Sequence, residues 1–308
     1  MDTTLKAMRY FMAAVNCGSI TEASKQLNVV PSAVLAAVNQ VEESFGLQLT
    51  TRRRSKGIST TTTGKVLVNR IQHLLDEYET LMSEGVDLRE KLTGTLRVGY
   101  YAPIAPAFIP QITSKLLNGN SGIDIKFINC DNHTAQTGLV SGEFDVILCV
   151  AESMKPDVTY ETLTVVSPYV LAPANHLFAE HASVSIKRLA EQKLILLDLP
   201  VVSEYYGQIF NEVGMTPGIV CTATTVEMIR SLVGAGLGCS ILHMRPMTDT
   251  SYAGQAVVSI PIDPPLKPLK IVLGHLPDNP RRLVKAFVEE TRRYFATRDA
   301  TKLLVNVP

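Results

Sequence analysis

The residues best suited to contact an anionic partner are four cations that lie close together in the first quarter of the chain. They occur in the run Arg52-Arg53-Arg54-Ser55-Lys56, which is followed by Gly57, a residue that accepts the backbone angles of a tight turn. Guanidinium and ammonium groups at the tip of a hairpin can contact the phosphates or the minor groove of a nucleic acid. A charged loop that only faces water is the alternative interpretation of the same run.

Charge is unevenly distributed along the chain, although the whole sequence of 308 residues has a formal net charge of zero. Residues 1–65 contain eight Lys or Arg and four Asp or Glu, whereas residues 66–90 contain two basic and six acidic residues. No strong global field therefore directs the protein to nucleic acid or to a membrane. A basic amino-terminal segment on a neutral protein is typical of local contact with phosphate groups.

No motif in the sequence indicates catalysis, a cofactor or a metal site. There is neither an HExxH nor a GxSxG motif, and Gly64-Lys65 lacks the hydroxyl residue that follows the lysine of a P-loop. The glycines between 234 and 238 lead from a predicted helix into a strand, the reverse of a dinucleotide fingerprint. Five cysteines show no CxxC spacing and are expected to be reduced thiols. We therefore expect no enzyme activity, no cofactor and no bound metal.

The segment between residues 19 and 42 predicts two short helices joined by a tight turn, after a first helix that ends at Gly18. Ser19 and Glu22 have the spacing of a capping box, and a second helix should begin near Pro31 or Ser32. Its predicted buried stripe consists of Val34, Val38 and Val41. Two helices of this length across a short turn form a helix-turn-helix, a fold unit used to bind DNA but also found as a simple helical hairpin.

Residues along nearly the entire chain resemble the LysR-type transcriptional regulators. The matching motifs are Arg9-Tyr10-Phe11, Gly18-Ser19-Ile20-Thr21-Glu22-Ala23-Ser24-Lys25-Gln26-Leu27, Val41-Glu42, Phe45-Gly46, Leu49, Arg52, Lys56-Gly57, Thr61, Gly64 and, much later, Gly142-Glu143-Phe144-Asp145. The resemblance implies an amino-terminal winged helix-turn-helix, a linker helix through which two subunits pair, and a two-lobed α/β effector domain of the periplasmic-binding-protein type II fold. It also implies a dimer or tetramer that binds double-stranded DNA of dyad symmetry.

The second helix of the pair is expected to enter the major groove, but its sequence departs from the family pattern. The family usually has glutamine, proline, serine or threonine, and arginine at the positions of Pro31, Ser32, Leu35 and Ala36. Loss of the arginine removes a base or phosphate contact worth about 1–3 kcal/mol when it is bidentate, so base specificity should be weak or altered. The predicted DNA-binding residues are Ser19, Thr21, Pro31, Ser32, Leu35, Ala36, Asn39, Arg52, Arg53, Arg54 and Lys56.

A long amphipathic helix should run from Gly64 to about Arg89. Apolar residues recur along it at alternating steps of four and three, with Gly85 at the one missing position. The predicted dimerisation seam consists of Leu67, Ile71, Leu74, Tyr78, Leu81 and Leu88. Packing of this face against the carboxy-terminal domain of the same chain is the alternative.

Beyond Thr93-Gly94-Thr95 the pattern changes to alternating strands and helices. Strands near 96–100, 123–128 and 144–150, with helices near 106–117 and 134–141, predict a parallel sheet covered on both faces. A second lobe should begin near residue 164. The predicted domains are a DNA-binding domain (1–65), a linker helix (66–92) and an effector domain (93–308), in which lobe I spans about 93–163 and 268–308 and lobe II about 164–267.

An effector site is predicted at the carboxyl ends of the strands, where open α/β sheets bind their ligands. The candidate residues are Tyr100, Tyr101, Pro103, Asp131, Asn132, Cys149, Pro200, Ser203, Tyr206, Thr224 and Thr225. Helix amino-termini near several of them suit a carboxylate, so a small organic acid is the leading ligand class. Asp131 could instead select an amine or a sugar hydroxyl. Ser203 stands where a subgroup of the family has an arginine, so that subgroup's ligand cannot be transferred.

The sequence therefore predicts a cytoplasmic, sequence-specific DNA-binding transcription regulator that responds to a small-molecule effector. The amino terminus lacks a signal-peptide layout, and the longest weakly polar run, residues 231–242, is too short to span a bilayer. An effector can shift the spacing of paired DNA-binding domains only by its differential affinity for two arrangements. A two-lobed small-molecule-binding protein or enzyme with a vestigial DNA-binding domain is the alternative.

Overall fold

The computed structural model describes residues 3–53, 57–86, 92–152, 154–156, 158–276 and 281–305. The chain divides into two compact units. Unit 1 comprises residues 1–95 with the short segments 122–124 and 141–143, and unit 2 comprises the remaining residues. Within the described ranges, no helix has the length and apolar character needed to cross a membrane.

Unit 1 contains a winged helix-turn-helix followed by a long helix. Its elements are α1 (Leu5–Cys17), α2 (Ile20–Gln26), α3 (Pro31–Phe45), β1 (Thr50–Arg53), β2 (Gly57–Thr60) and α4 (Thr62–Val86). The two strands pair antiparallel, with Arg52 opposite Ile58. The predicted stripe of α3, which is Val34, Val38 and Val41, is fully buried against α1 and α2.

The helix ends of unit 1 follow from local sequence. Gly18 ends α1 in the left-handed region, at φ 61°, and the Ser19 hydroxyl then accepts the Glu22 N–H and caps α2. Pro31 takes the first position of α3, where its missing N–H leaves no hydrogen bond unmade. The predicted start of α3 is thus confirmed at Pro31.

Two glycines allow the strands to pack closely against the helices. Gly57 has φ 75°, and a Cβ at this position would lie 2.1 Å from the Gly18 carbonyl oxygen. The next residue, Ile58, donates its N–H to the same carbonyl at 2.9 Å. At Gly64 a Cβ would lie 2.0 Å from the Leu49 carbonyl oxygen. Both positions therefore exclude any larger residue, which accounts for the glycines in the motif.

The residues of the predicted dimerisation seam on α4 differ in how far they are buried within the chain. Ile71 is buried in the core of unit 1, and Leu67 packs partly buried against that core. Ile71 therefore packs within its own chain, and Leu67 does so in part. By contrast, Leu74 and Leu81 are 47% and 63% exposed. Leu88 lies outside the described residues.

The first sheet of unit 2 has the strand order β4-β3-β5-β12-β6. Strands β3 and β5 are parallel, as predicted, whereas the returning strand β12 is antiparallel to both β5 and β6, so the sheet is mixed. The elements of this lobe are β3 (Thr93–Tyr100), α5 (Ile109–Leu117), β4 (Gly122–Asn129), α6 (Asn132–Ser141), β5 (Val146–Val150), β6 (Thr159–Val166), β12 (Leu269–His275) and α10 (Arg282–Phe295). The predicted lobe boundary at residue 164 falls inside β6.

The second lobe contains the strand orders β10-β7-β11 and β8-β9. Its elements are β7 (Tyr169–Pro173), α7 (Ile186–Ala190), β8 (Lys193–Leu197), α8 (Pro200–Glu212), β9 (Gly218–Ala223), α9 (Val226–Gly234), β10 (Ser240–Leu242) and β11 (Val257–Pro261). A parallel bridge between Leu194 and Cys239 connects the two sets of strands. Helix α11 (Arg298–Thr301) follows α10 near the end of the chain. The sequence patterns did not predict α7 or β11.

Asp145 joins three distant segments of the first lobe. Its Oδ2 accepts the Arg97 N–H at 2.7 Å, and its Oδ1 lies 2.5 Å from Nη1 of Arg281. The carboxylate is fully buried and the guanidinium nearly so. Phe144 beside it fills the space over Gly99 and Gly138, where an added Cβ would lie 2.5 Å from the ring. The segment 142–145 therefore has a packing role.

Candidate nucleic-acid interface and ligand cavity

The face of α3 opposite its buried stripe is exposed to solvent. Pro31, Ser32, Leu35, Ala36 and Asn39 all lie on it, as predicted for residues that approach bases. Beside it, Thr21 is exposed on α2, whereas Ser19 is half-buried and caps that helix. The first two turns of α3 carry only small, apolar and uncharged polar side chains, so contacts with base edges depend on hydroxyl and amide groups.

Glu42, which the sequence patterns did not single out as a site residue, joins α3 to the wing. Its Oε1 accepts the N–H groups of Leu49 and Thr50 at 2.9 and 2.7 Å and the Thr50 hydroxyl at 2.9 Å. The side chain is 17% exposed. One carboxylate therefore fixes the first residues of the hairpin to the carboxyl-terminal half of the recognition helix. The signal in the sequence that could have indicated Glu42 was its position beside Val41 in the motif that resembles the family.

Arg52 lies between the wing and α3. Its Nη2 donates to Oδ1 of Asn39 at 2.6 Å and lies 3.3 Å from Oε2 of Glu42. Its predicted contact with phosphate therefore competes with two partners in the same unit. Arg53 ends β1, and nothing is stated of its side chain, while Arg54 and Lys56 lie outside the described residues.

An apolar strip on α4 faces solvent, whereas Ile71 and Leu75 on the same helix pack into the core of unit 1. It consists of Leu74, Tyr78, Leu81 and Met82, of which only Tyr78 is half-buried. The Arg9 guanidinium lies over the Tyr78 ring, 5.5 Å from its centroid. We call these four residues the α4 strip. Exposure of several large apolar side chains along one helix face is typical of a protein-protein contact.

A cavity of about 380 Å³ lies between the two lobes of unit 2. It is lined by Tyr101, Asp131, Asn132, His133, Gln136, Glu152, Pro200, Val201, Glu204, Tyr205, Gln208, Lys267 and Leu269. Four of the predicted effector residues are among them, namely Tyr101, Asp131, Asn132 and Pro200. The size suits a small organic molecule.

Seven other predicted effector residues do not line this cavity. Pro103 and Tyr206 line a smaller inner cavity of about 20 Å³, which also touches Tyr101, and Ser203 lines a groove on the opposite side of α8. Cys149 is fully buried within β5. The remaining three are Tyr100 at the end of β3, where its ring packs against Phe127, and Thr224 and Thr225 at the start of α9, where Thr225 caps the helix.

Helix α8 supplies the cavity residues that the sequence patterns missed. Val201, Glu204, Tyr205 and Gln208 recur at steps of three, one and three, which places them on one helix face. The predicted residue Ser203 lies on the opposite side of α8, where it lines the groove and not this cavity. Helical spacing from Pro200 would have indicated the four residues that line the cavity.

Carboxylates outnumber cations in the cavity lining. Asp131, Glu152 and Glu204 contribute three carboxylates against the single ammonium of Lys267, with the imidazole of His133 beside them. Nζ of Lys267 lies 3.8 Å from Oε1 of Glu152. Hydrogen bonds from backbone N–H groups, chiefly that of Thr134, lower the pKa of Asp131, which keeps this carboxylate ionised.

Two buried polar groups near the inner cavity lack a hydrogen-bond partner among the described residues. They are the Tyr101 hydroxyl and Nε2 of His243. Burial, with a smaller contribution from the Asp131 carboxylate, raises the pKa of Tyr101, so the phenol stays protonated. Burial lowers the pKa of His243 to about 4, so the imidazole is neutral at pH 7. Within the described ranges, no group of three His, Cys, Asp or Glu side chains could hold a metal ion.

Two protein-family models match this chain. Residues 5–65 match the model described as bacterial regulatory helix-turn-helix protein, lysR family, and residues 89–296 match the model described as LysR substrate binding domain. The HTH-type transcriptional regulator YtlI of Bacillus subtilis is 24% identical over 272 residues, which is 85% of either chain.

Solved structures share the fold over nearly the full length. HinK, a LysR family transcriptional regulator from Pseudomonas aeruginosa, is 28% identical with a TM-score of 0.61, and the match covers 96% of this chain and 99% of that one. Full-length CbnR, solved as a complex with its target DNA, is 17% identical with a TM-score of 0.65, over 95% of this chain and 100% of that one.

Proposed function

This chain belongs to the LysR family of transcriptional regulators, and we propose that it binds operator DNA as a symmetric pair of subunits under the control of a small molecule held between its lobes. The observation that carries the proposal is the exposed, uncharged face of α3 fixed to a basic hairpin by Glu42. Its curated relatives are regulators, which favours this function over the alternative of a binding protein or enzyme with a vestigial amino-terminal domain.

The recognition helix offers few strong base contacts. Ser32 and Asn39 can hydrogen-bond with base edges, and Leu35 can contact a thymine methyl. Arg52, Arg53, Arg54 and Lys56 would then supply sequence-independent affinity through the phosphates. CbnR, which shares the fold, was solved as a complex with its target DNA, which supports DNA binding by this fold. We expect a regulator whose affinity depends strongly on salt and whose base preference is modest.

Pairing of two subunits through the α4 strip would place two recognition helices on one duplex. Leu81 and Met82 are more than half exposed, and they follow Leu74 along the helix. Burial of such side chains against a second copy is favourable by about 25 cal/mol per Å² of apolar surface. Two-fold symmetry of the subunits then requires an operator of dyad symmetry.

Binding of purified full-length chain to random DNA and to fragments of its source genome tests the function. We expect enrichment of sequences with dyad symmetry, and an affinity that falls by orders of magnitude between 50 and 200 mM salt. Replacement of Arg52 by alanine should weaken binding to all sequences similarly, whereas Asn39→Ala should relax preference at one base position in each half-site. Lys302→Ala, on the surface of unit 2, is the matched control.

Absence of DNA binding at low salt would contradict the proposal, as would a monomer at every concentration tested. An effect of Arg52→Ala confined to a single base position would refute its role at the phosphates. Analytical ultracentrifugation of the same sample separates a failure of pairing from a failure of the DNA-binding face.

A further inference from the structure

We propose that the effector of this protein is a small organic cation, a protonated primary amine with a short apolar body, bound in the cavity between the lobes. The proposal rests on the proposed function, since it names the ligand class of that same cavity. The sequence favoured a small organic acid, with an amine selected by Asp131 as an alternative. The proposal adopts the amine in place of the acid.

Charge is the first argument. Three carboxylates and one ammonium line the cavity, so the lining carries two negative charges in excess. Lys267 lies near Glu152, which leaves Asp131 on lobe I and Glu204 on lobe II as the excess. An anion would meet this field unfavourably, whereas a cation would be attracted from both lobes.

An unsatisfied hydroxyl is the second, independent argument. Tyr101 lines the cavity, is 3% exposed, and has no hydrogen-bond partner for its hydroxyl among the described residues. A phenol oxygen can accept a hydrogen bond from an ammonium group, so an amine that reaches this hydroxyl would satisfy it.

Two of the helix amino-termini that favoured a carboxylate in the sequence offer it fewer N–H donors than the sequence suggested. At α6, Oδ1 of Asp131 accepts the Thr134 N–H at 2.7 Å. Helix α8 begins with Pro200, which has no N–H. Both features weaken the reason for expecting an acid, and at α6 the capping residue is itself one of the carboxylates that make the cavity acidic.

Apolar and aromatic side chains form the rest of the lining. Pro200, Val201 and Leu269 provide hydrocarbon surface, and the aromatic residues Tyr101 and Tyr205 also line the cavity. The hydroxyl of Tyr205 donates to the Lys267 carbonyl at 3.0 Å, which fixes that ring across the cavity. An alkyl or aryl body attached to one ammonium group matches this combination.

Calorimetric titration of the full-length protein with matched pairs of probes tests the ligand class. The amines are butylamine, hexylamine, 1,4-diaminobutane and 2-phenylethylamine, and the anions are pentanoate, heptanoate, adipate and 3-phenylpropionate. We expect at least one amine to bind at least tenfold more tightly than its matched anion. Asp131→Asn and Glu204→Gln should each weaken that amine about ten- to a hundredfold, since each removes a charged hydrogen-bond acceptor. Tyr101→Phe should weaken it several-fold.

The variants are chosen so that the fold is retained. Asparagine at position 131 can still cap α6, because asparagine is as good a cap as aspartate. Glu227→Gln, an exposed carboxylate in the first turn of α9, is the matched control and should leave amine binding unchanged.

Tighter binding of the anion, no binding of any amine, or equal binding by wild type and the Asp131 and Glu204 variants would each overturn the proposal. DNA binding measured on the same samples keeps the two proposals distinct. DNA binding without amine binding would support the proposed function and overturn the cationic effector. Amine binding without DNA binding would support the cationic effector and overturn the proposed function.

Discussion

In each of the two units, one carboxylate connects separate segments of the chain. The sequence separations that the two carboxylates span are very different. In unit 1, Glu42 accepts hydrogen bonds from residues seven and eight positions later. In unit 2, Asp145 contacts Arg97, 48 positions earlier, and Arg281, 136 positions later. The DNA-binding face is therefore assembled from neighbouring sequence, whereas the ligand cavity depends on segments that meet only after the whole domain has folded.

This difference has an energetic side. The Glu42 carboxylate is partly exposed and its main partners are neutral N–H and O–H groups. The Asp145 carboxylate is fully buried and paired with an almost fully buried guanidinium. Removal of one member of a buried ion pair leaves the other charge without compensation, which is more damaging than loss of neutral hydrogen bonds.

The largest effect is expected for Asp145→Ala. It should lower the free energy of unfolding of unit 2 by about 3–5 kcal/mol, because the Arg281 charge is left buried. Urea denaturation of the full-length protein, followed by tyrosine fluorescence, measures the change. Glu289→Ala on the exposed face of α10 is the control. A loss no larger than that of the control would show that the two carboxylates do not differ as described.

Replacements on α4 should separate packing within unit 1 from contact with a second subunit. Ile71→Ala removes a buried side chain and should lower the stability of unit 1 by about 2–4 kcal/mol. Leu81→Ala, on the exposed α4 strip, should change that stability by less than about 0.5 kcal/mol and instead raise the dissociation constant of the dimer. Circular dichroism and sedimentation equilibrium on both variants measure the two quantities. Equal loss of stability in both would mean that the strip is covered within its own chain.

Glu42→Ala should lower the stability of unit 1 by about 2–3 kcal/mol, since three hydrogen bonds to one carboxylate are lost at a partly exposed site. DNA affinity should fall further than this loss alone predicts, because the wing is no longer fixed to α3. Protection of the Leu49 and Thr50 amides from hydrogen exchange measures the attachment directly. Glu43→Ala, exposed on the next position of α3, provides the comparison.

Mild acid should destabilise unit 2 through protonation of His243. This is the smallest effect among the four predictions. Its pKa in the folded protein is about 4, below the value of about 6.5 expected when unfolded, so the unfolded chain binds more protons between these values. The stability contributed by the neutral imidazole is full above pH 6.5 and is lost as the pH falls towards 4, by about 2 kcal/mol at pH 5. Urea denaturation at pH 7 and 5 measures it, and His243→Phe should remove that part of the pH dependence.

Much of unit 1 could be predicted from sequence because its signals are local. Glycine and serine at 18 and 19, proline at 31 and the valine spacing of α3 set the helix bounds before any tertiary contact is considered. What could not be predicted is how α4 divides its apolar face, because Leu67 and Leu81 lie two heptads apart and occupy equivalent places in the same repeat. Only the presence of the neighbouring core beside one of them distinguishes the two.

The ligand cavity could be placed but not described in detail. Strand ends indicated its position, and Asp131 and Tyr101 were found in this way. Glu204 and Lys267 were missed because they belong to the second lobe and to the segment that returns from it, and no short-range pattern reports which faces meet. The net charge of the cavity, and with it the ligand class, depends on those residues.

The attachment of the hairpin to the recognition helix by Glu42 has a consequence for the choice of operator. With the two elements joined, the separation between them is fixed before the protein meets a duplex, so the duplex must supply the matching groove width. Where few base edges are contacted, discrimination then comes from how readily a sequence narrows or bends to that width. The operators of this regulator should therefore resemble one another more in the stiffness and curvature of their DNA than in their base sequence.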